Sequence, residues 1–248
     1  MSTADLLDGI LGSLPDGVLR RAVIGRRWTA AVVEIEGEPR CGLAATWDWD
    51  GNLSQTQVGS AGASAAGLAS TLRDVVGVRA SLAAATLNAL LPRHPERWTE
   101  TKVEEVIRQR GANRKVVMVG HFPFVDELRP HVGALTVLEE HPRPGDLPAS
   151  AAPDVLPGAE VVVITGMAFV NGSLGNLLRL CSPRAHVIVA GPSTPLSPVL
   201  LEHGADQLCG AVVENVEAVV RAVEAGEGFR GVHRAGVRLV SMTARATL

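Results

Sequence analysis

The stretch that decides the fold is KVVMVGHFPFVDEL, residues 115–128. A short apolar run ends in a glycine, and the residues that follow suit a helix. Strand, glycine and helix in that order open a β-α unit of a parallel sheet. The further glycines of a dinucleotide loop are missing after Gly120; His121, Phe122 and Pro123 stand there instead. Phe122 would crowd the close approach that glycine permits. Pro123 removes a backbone donor that a phosphate would use. A nicotinamide dinucleotide (NAD) is therefore disfavoured, whereas an adenosyl group without a pyrophosphate, as in S-adenosylmethionine, is compatible with the loop.

Downstream, the same grammar repeats. LTVLEE (135–140), EVVVIT (160–165), HVIVAG (186–191) and QLCGAVV (207–213) are continuous apolar runs separated by helical or polar segments. Continuous rather than alternating runs are what a parallel sheet covered on both faces demands. Right-handed β-α crossovers then give a doubly wound, Rossmann-like parallel sheet, an α/β class. VRLVSM (237–242) is expected to add an edge strand.

Upstream, the chain reads as α+β. LLDGILGSL (6–14) is a short helix. AVIGRRWTAAVVEI (22–35) and RCGLAATWDW (40–49) read as two strands joined by the turn EGEPR and paired antiparallel. GSAGASAAGLASTLRDV (59–75) starts with close-spaced glycines and becomes helical. SLAAATLNALL (81–91) is a strong helix with Ala84, Leu87, Asn88 and Leu91 on one face, and Pro92 ends it. PERWTETKVEEVIRQRGANRK (95–115) is charged and helical, with Gly111 as its stop. The domain boundary is expected here, giving a smaller unit 1–110 and a Rossmann-like unit 111–248.

Composition narrows the function classes. A net charge of -3 gives no basic footprint for nucleic acid. No segment approaches the roughly 20 apolar residues of a membrane span. The first residues carry acids and lack a basic start, so no signal peptide is expected and the chain reads as soluble and cytoplasmic. Cys41, Cys181 and Cys209 are far apart, which disfavours a disulfide framework or a Cys-x-x-Cys zinc site. A homodimer is the prior for assembly, since closed two-fold symmetry is the commonest arrangement.

Ligands of an open parallel sheet bind beyond the carboxyl ends of its strands. Those ends read Gly120-His121-Phe122-Pro123, Glu139-Glu140-His141, Thr165-Gly166 with Asn171-Gly172-Ser173 beyond, and Gly191-Pro192-Ser193-Thr194. Ser193 and Thr194 could cradle an anion beside a helix start; equally, Asn171, Ser173, Ser193 and Thr194 could serve only as helix caps. Glu139 follows Gly120 at the distance where dinucleotide folds place a ribose-binding acid. His121 and His141, with Glu139, could supply imidazole and carboxylate ligands to a divalent transition metal, or be solvated loop histidines. Cys209 is a further candidate soft ligand.

The segments GHFPFVDEL, VLEEHPRPGDLP, EVVVITGMAFVNGSLGNLL and VIVAGPSTPLSPVLLEHGADQLCGAVV resemble the DUF364 family, which is labelled for heavy-metal chelation. IGRRWTAAVV, GLAATW and SLAAATLNALL resemble its usual N-terminal partner, DUF4213. The resemblance implies an α+β N-terminal domain like the small domain of enolases, a Rossmann-like domain after it, and a shared cleft. Its matching positions imply Asn88, Gly120, Phe122, Pro123, Glu139, Thr165, Asn171, Gly191, Pro192 and Ser193 as cleft-lining, with Asn88 either orienting a polar ligand or tying its helix to a loop. Three functions stay open at this point: capture of a metal or a small metal-chelating metabolite, an enzyme acting on a small metabolite (S-adenosylmethionine- or nucleotide-using), and a scaffold whose polar edge only caps helices.

Overall fold

The structure, a computed structural model, describes residues 2–47 and 62–244. The chain opens with α1 (Thr3–Leu11), started by a reciprocal capping box between Ser2 and Asp5. A three-stranded antiparallel meander follows: β1 (Val18–Ile24), β2 (Trp28–Ile35) and β3 (Glu38–Ala45). The run 22–35, read from sequence as one strand, is thus a hairpin. The backbone N–H of Gly25 donates to the Trp28 carbonyl at 2.9 Å and closes the turn. The second turn is tighter than EGEPR suggested, because Ile35 already pairs with Glu38 and only Glu36 and Gly37 turn. The expected ends Asp48 and Trp49 of the 40–49 strand, and the start Gly59 of the glycine-rich segment, lie outside the described residues.

Both faces of this small sheet are covered. Ala31, Val33, Ile35 and Ala44 share a core with α3 (Val78–Leu90), and Ala30, Val32, Cys41 and Leu43 share another with Val219, Val220 and Val223. That is why β2 is apolar at nearly every position. α3 is buried on almost every side, not along one stripe, so its alanines are what let neighbouring backbones approach. Between the meander and α3 lies α2 (Ala65–Ser70).

The second sheet has eight strands in the order β4-β11-β10-β9-β8-β5-β6-β7. Its parallel centre comprises β5 (Lys115–Val119), β6 (Ala134–Glu139), β8 (Val161–Thr165), β9 (His186–Ala190) and β10 (Gln207–Val213). The five apolar runs seen in the sequence supply these strands. On β5, Val116 and Met118 enter one core while Val117 and Val119 enter the other, and β8 divides its residues the same way. β11 (Val237–Thr243) runs antiparallel beside β10 but is not the edge. Beyond it pairs β4 (Trp98–Thr99), from a segment expected to be helical; the helix there is α4 (Val103–Gly111). The far edge is β7 (Leu147–Pro148).

The helix expected after β5 is a single turn, α5 (Val125–Leu128), with Pro130 close behind. Short elements also follow the other strands: α6 (Ala152–Val155), α7 (Met167–Val170), α8 (Leu174–Leu180) and α9 (Pro198–Glu202). α10 (Val216–Glu224) is capped by the Asn215 side chain, which accepts from the Ala218 N–H at 3.1 Å, and α11 (Phe229–Arg234) leads into β11. From β5 the chain steps outward to β6 and the edge strand β7, then crosses back to β8 on the other side of β5. The order reverses between β5 and β8, and the carboxyl ends of these two strands open the crevice where ligands of such sheets bind.

Candidate functional site

That crevice is a cavity of about 700 Å³. Residues at and after the ends of β5, β6, β8 and β9 and the segment after β7 line it, together with Trp28 and Ala45 of the first sheet and Thr46 and Trp47 just beyond β3. Gly120, Phe122, Pro123, Glu139, Thr165, Asn171, Gly191, Pro192 and Ser193 all line it. Gly120 has φ +99, and a Cβ there would stand 3.0 Å from the Thr165 side chain, so only glycine fits the turn at the switch point.

Buried and half-buried polar side chains hold the seam between the two sheets and brace the first sheet against α3. Ser193 Oγ accepts from the Ala45 N–H at 2.8 Å and donates towards Met167 Sδ at 3.5 Å. Asn88 Nδ2 donates to the Leu43 carbonyl at 2.9 Å and to the Ser193 carbonyl at 3.4 Å. Ser81 Oγ accepts from the Trp47 N–H at 2.8 Å. Asn88, expected as cleft-lining, does not line the large cavity. It borders a smaller space with Arg93, Trp98 and Thr194, because its amide is turned onto β3. Nor do Ser193 and Thr194 form an anion cradle. Both are buried, and the next helix, α9, begins only at Pro198.

The open rim is built differently. Glu139 Oε2 accepts from the His121 N–H and Oε1 from the Glu140 N–H, each at 2.8 Å. His121 Nδ1 lies 2.8 Å from Asp146 Oδ2, which also accepts from the Arg143 N–H at 3.1 Å. Burial alone would raise the Asp146 carboxyl, but the hydrogen bonds from the His121 ring and the Arg143 backbone outweigh it and hold the group below its ordinary range. Asn171 Nδ2 reaches Glu140 Oε1 at 3.4 Å, while its Oδ1 accepts from Ser173. Among the described residues lining the cavity, the acids are Glu139 and Glu140, and no Lys or Arg is present. The site's charge therefore disfavours phosphates and favours a neutral or cationic occupant.

The three-ligand metal set expected from His121, Glu139 and His141 is not assembled. His141 is exposed and lies outside the cavity lining, and the Glu139 oxygens already accept backbone donors. Among the described residues no group of three His, Cys, Asp or Glu could hold a metal ion. Cys209 is buried beside Ser241, and burial pushes its thiol up to about 11, far from a ready thiolate ligand. A bare ion therefore does not fit the donors present; His121 is the one histidine among the described residues lining the space. Sequence reasoning missed Asp146, Trp28, Thr46 and Met167. Asp146 sits in a loop without periodicity, and a Pro-Gly-Asp turn carries no sign of the histidine it will meet.

With this geometry in view, comparison places the chain. The family model DUF364, described as "Putative heavy-metal chelation", matches residues 103–242, and DUF4213, with the same description, matches residues 7–91. No curated protein matches. A crystal structure of a DUF364-family protein of unknown function from Desulfitobacterium hafniense is 26% identical, with a TM-score of 0.78 over 97% of this chain and 98% of that one. A second, from Pyrococcus horikoshii, is 17% identical, with a TM-score of 0.81 over 98% and 100%, a likeness of fold. Two family models in series and two full-length structural matches make this chain a member of the DUF364 family, with a DUF4213 segment ahead of it.

Proposed function

We propose that the protein binds a small cationic ligand, a metal ion already held by an organic chelator, in the cleft between two units, 1–110 and 111–248. One observation carries this reading. A cavity of about 700 Å³ lies at the switch point of the sheet, and its described charged walls are carboxylates alone. The volume is that of a site for a whole organic molecule rather than an ion. The donor set is too sparse for a bare ion, since structural and catalytic metal sites use three or four protein ligands. The family description points towards chelation, and a chelate reconciles it with these residues.

Calorimetry on protein purified without a polyhistidine tag tests this. Free Zn, Ni, Co and Cu ions are expected to bind no more tightly than millimolar, and cationic chelates of the same metals to bind at micromolar concentration. Chelates carrying net negative charge are expected to bind at least tenfold more weakly. Tight binding of the bare ions, or silence across all chelates, would sink the reading.

A second reading has its own support. Glu139 ends the strand beside β5, where dinucleotide folds hold a ribose, and each carboxylate oxygen keeps a further acceptor position. The sulfonium of S-adenosylmethionine would suit the same negative walls. Thermal stabilisation by that compound, abolished in Glu139→Gln, would favour an enzyme over a chelate binder. Phe122, Pro123 and the two carboxylates continue to argue against a nicotinamide dinucleotide.

A further inference from the structure

We propose that His121 supplies Nε2 as the one protein ligand to the metal of the bound chelate, with Asp146 as its positioning residue. This rests on the chelate reading above and adds to it the atom that touches the metal.

His121 is among the residues lining the cavity and its side chain is 13% exposed, while the Asp146 side chain that pairs with it is 1% exposed. Asp146 Oδ2 takes two donors, the Arg143 N–H at 3.1 Å and the ring nitrogen Nδ1 at 2.8 Å. A carboxylate only accepts, so Nδ1 carries the proton, and in the neutral ring, the form that binds a metal, Nε2 then holds the lone pair. With Nδ1 directed at Asp146, Nε2 is the ring nitrogen left for a ligand. The backbone beneath is fixed as well. The His121 N–H is held by Glu139 Oε2 at 2.8 Å, and the Gly120 N–H by the Leu138 carbonyl at 2.8 Å.

An imidazole that donates its far N–H to a buried carboxylate is the outer-shell arrangement found behind metal-bound histidines. It sets the tautomer, orients the ring and raises its basicity. Asp146 Oδ1 is also buried and has no partner among the described residues. A carboxyl serving only to pin a loop would gain by pairing both oxygens. Keeping one bare leaves more negative charge behind the imidazole and makes Nε2 a stronger donor. One such donor cannot hold a bare ion, but it can fill a single open position on a metal whose other positions the chelator fills. The exchange is balanced: the metal releases one water and gains Nε2, with no proton moved and no change of oxidation state.

Copper(II)–diethylenetriamine is a suitable probe, being cationic with one open equatorial position. The untagged full chain is titrated by calorimetry, and the bound copper is examined by pulsed electron paramagnetic resonance. We expect micromolar binding and modulation from the remote imidazole nitrogen, which the amine chelator cannot produce. His121→Gln should weaken binding at least tenfold and remove the modulation. Asp146→Asn should weaken it by roughly 10- to 100-fold, the range for loss of an outer-shell partner. His131→Gln, on an exposed histidine away from the cavity, should leave both unchanged. Unfolding midpoints and circular dichroism establish that the variants are folded. Should His121→Gln fail to fold, wild-type copper bound without imidazole modulation still overturns the proposal. Equal binding by folded His121→Gln overturns it too, while leaving the chelate reading intact. If wild-type protein binds neither this complex nor any other chelate, both fall.

Discussion

Two groups of polar side chains meet at the cleft, and their hydrogen bonds run in different directions. At the seam, Ser193 bonds across to the Ala45 N–H, Asn88 joins the Leu43 carbonyl to the Ser193 carbonyl, and Ser81 ties the Trp47 N–H to α3, so these bonds fix the first sheet, α3 and the loop after β9 to one another. At the rim, Glu139 accepts from the His121 backbone and Asp146 pairs with the His121 ring, so that His121 and Glu139 border the open space with Asp146 buried behind them. The residue types overlap, and Ser193 and Glu139 both border the cavity. What differs is where the polar atoms point. A seam residue is therefore expected to matter for stability and a rim residue for binding.

The largest expected effect lies behind the seam. Gly42 on β3 sits so close to α3 that an added Cβ would meet the Ala85 carbonyl oxygen at 2.1 Å and the Ala89 nitrogen at 2.4 Å. Both are backbone atoms of a buried helix and cannot swing aside. Gly42→Ala should cost at least about 3 kcal/mol, the upper end for overpacking, and show as a sharply lowered urea midpoint or insoluble protein. A near-normal midpoint would mean that the sheet and α3 are not in the contact described.

Next come the seam hydrogen bonds. Asn88→Ala removes the donor to the Leu43 and Ser193 carbonyls, at about 1–3 kcal/mol, and Ser193→Ala leaves the Ala45 N–H without its acceptor, at about 1 kcal/mol. The two should be less than additive, because Asn88 and Ser193 touch. Denaturant titration of both single variants and the double variant measures this. Neither should change chelate affinity by more than about threefold, a small effect beside the tenfold unit of 1.4 kcal/mol. A large loss of affinity with intact stability would move Asn88 back among the ligand-contacting residues.

The contrast also explains what could be read in advance. The parallel strands were legible because each sends alternate residues into two cores, which forces a continuous apolar run such as 116–119. The rim was legible wherever it follows such a strand directly, as with Gly120, Glu139 and Thr165. The β1–β2 hairpin was not, because Gly25-Arg26-Arg27 lacks an Asn-Gly signature and the runs on either side are alike in composition. Asn88 was conspicuous as an amide on an apolar helix, but periodicity names the helix face and not the direction of the amide. Asp146 was invisible for a further reason: its partner lies 25 residues back, and no regular element links them.

The smallest effect is a pH dependence that separates the two groups. Asp146 is held below its ordinary value of 3.8 by His121 and Arg143. A carboxyl whose folded-state pKa is depressed contributes stability that is fully present above the unfolded value and fades as pH falls through the folded one. The difference in melting temperature between wild type and Asp146→Asn should therefore shrink as the pH falls below about 4. The deficit of Asn88→Ala should stay level over the same range, since Asn88, Leu43 and Ser193 carry no titrating group. If both differences fade together in acid, the seam is coupled to the rim, and the division between a stitching group and a binding group fails.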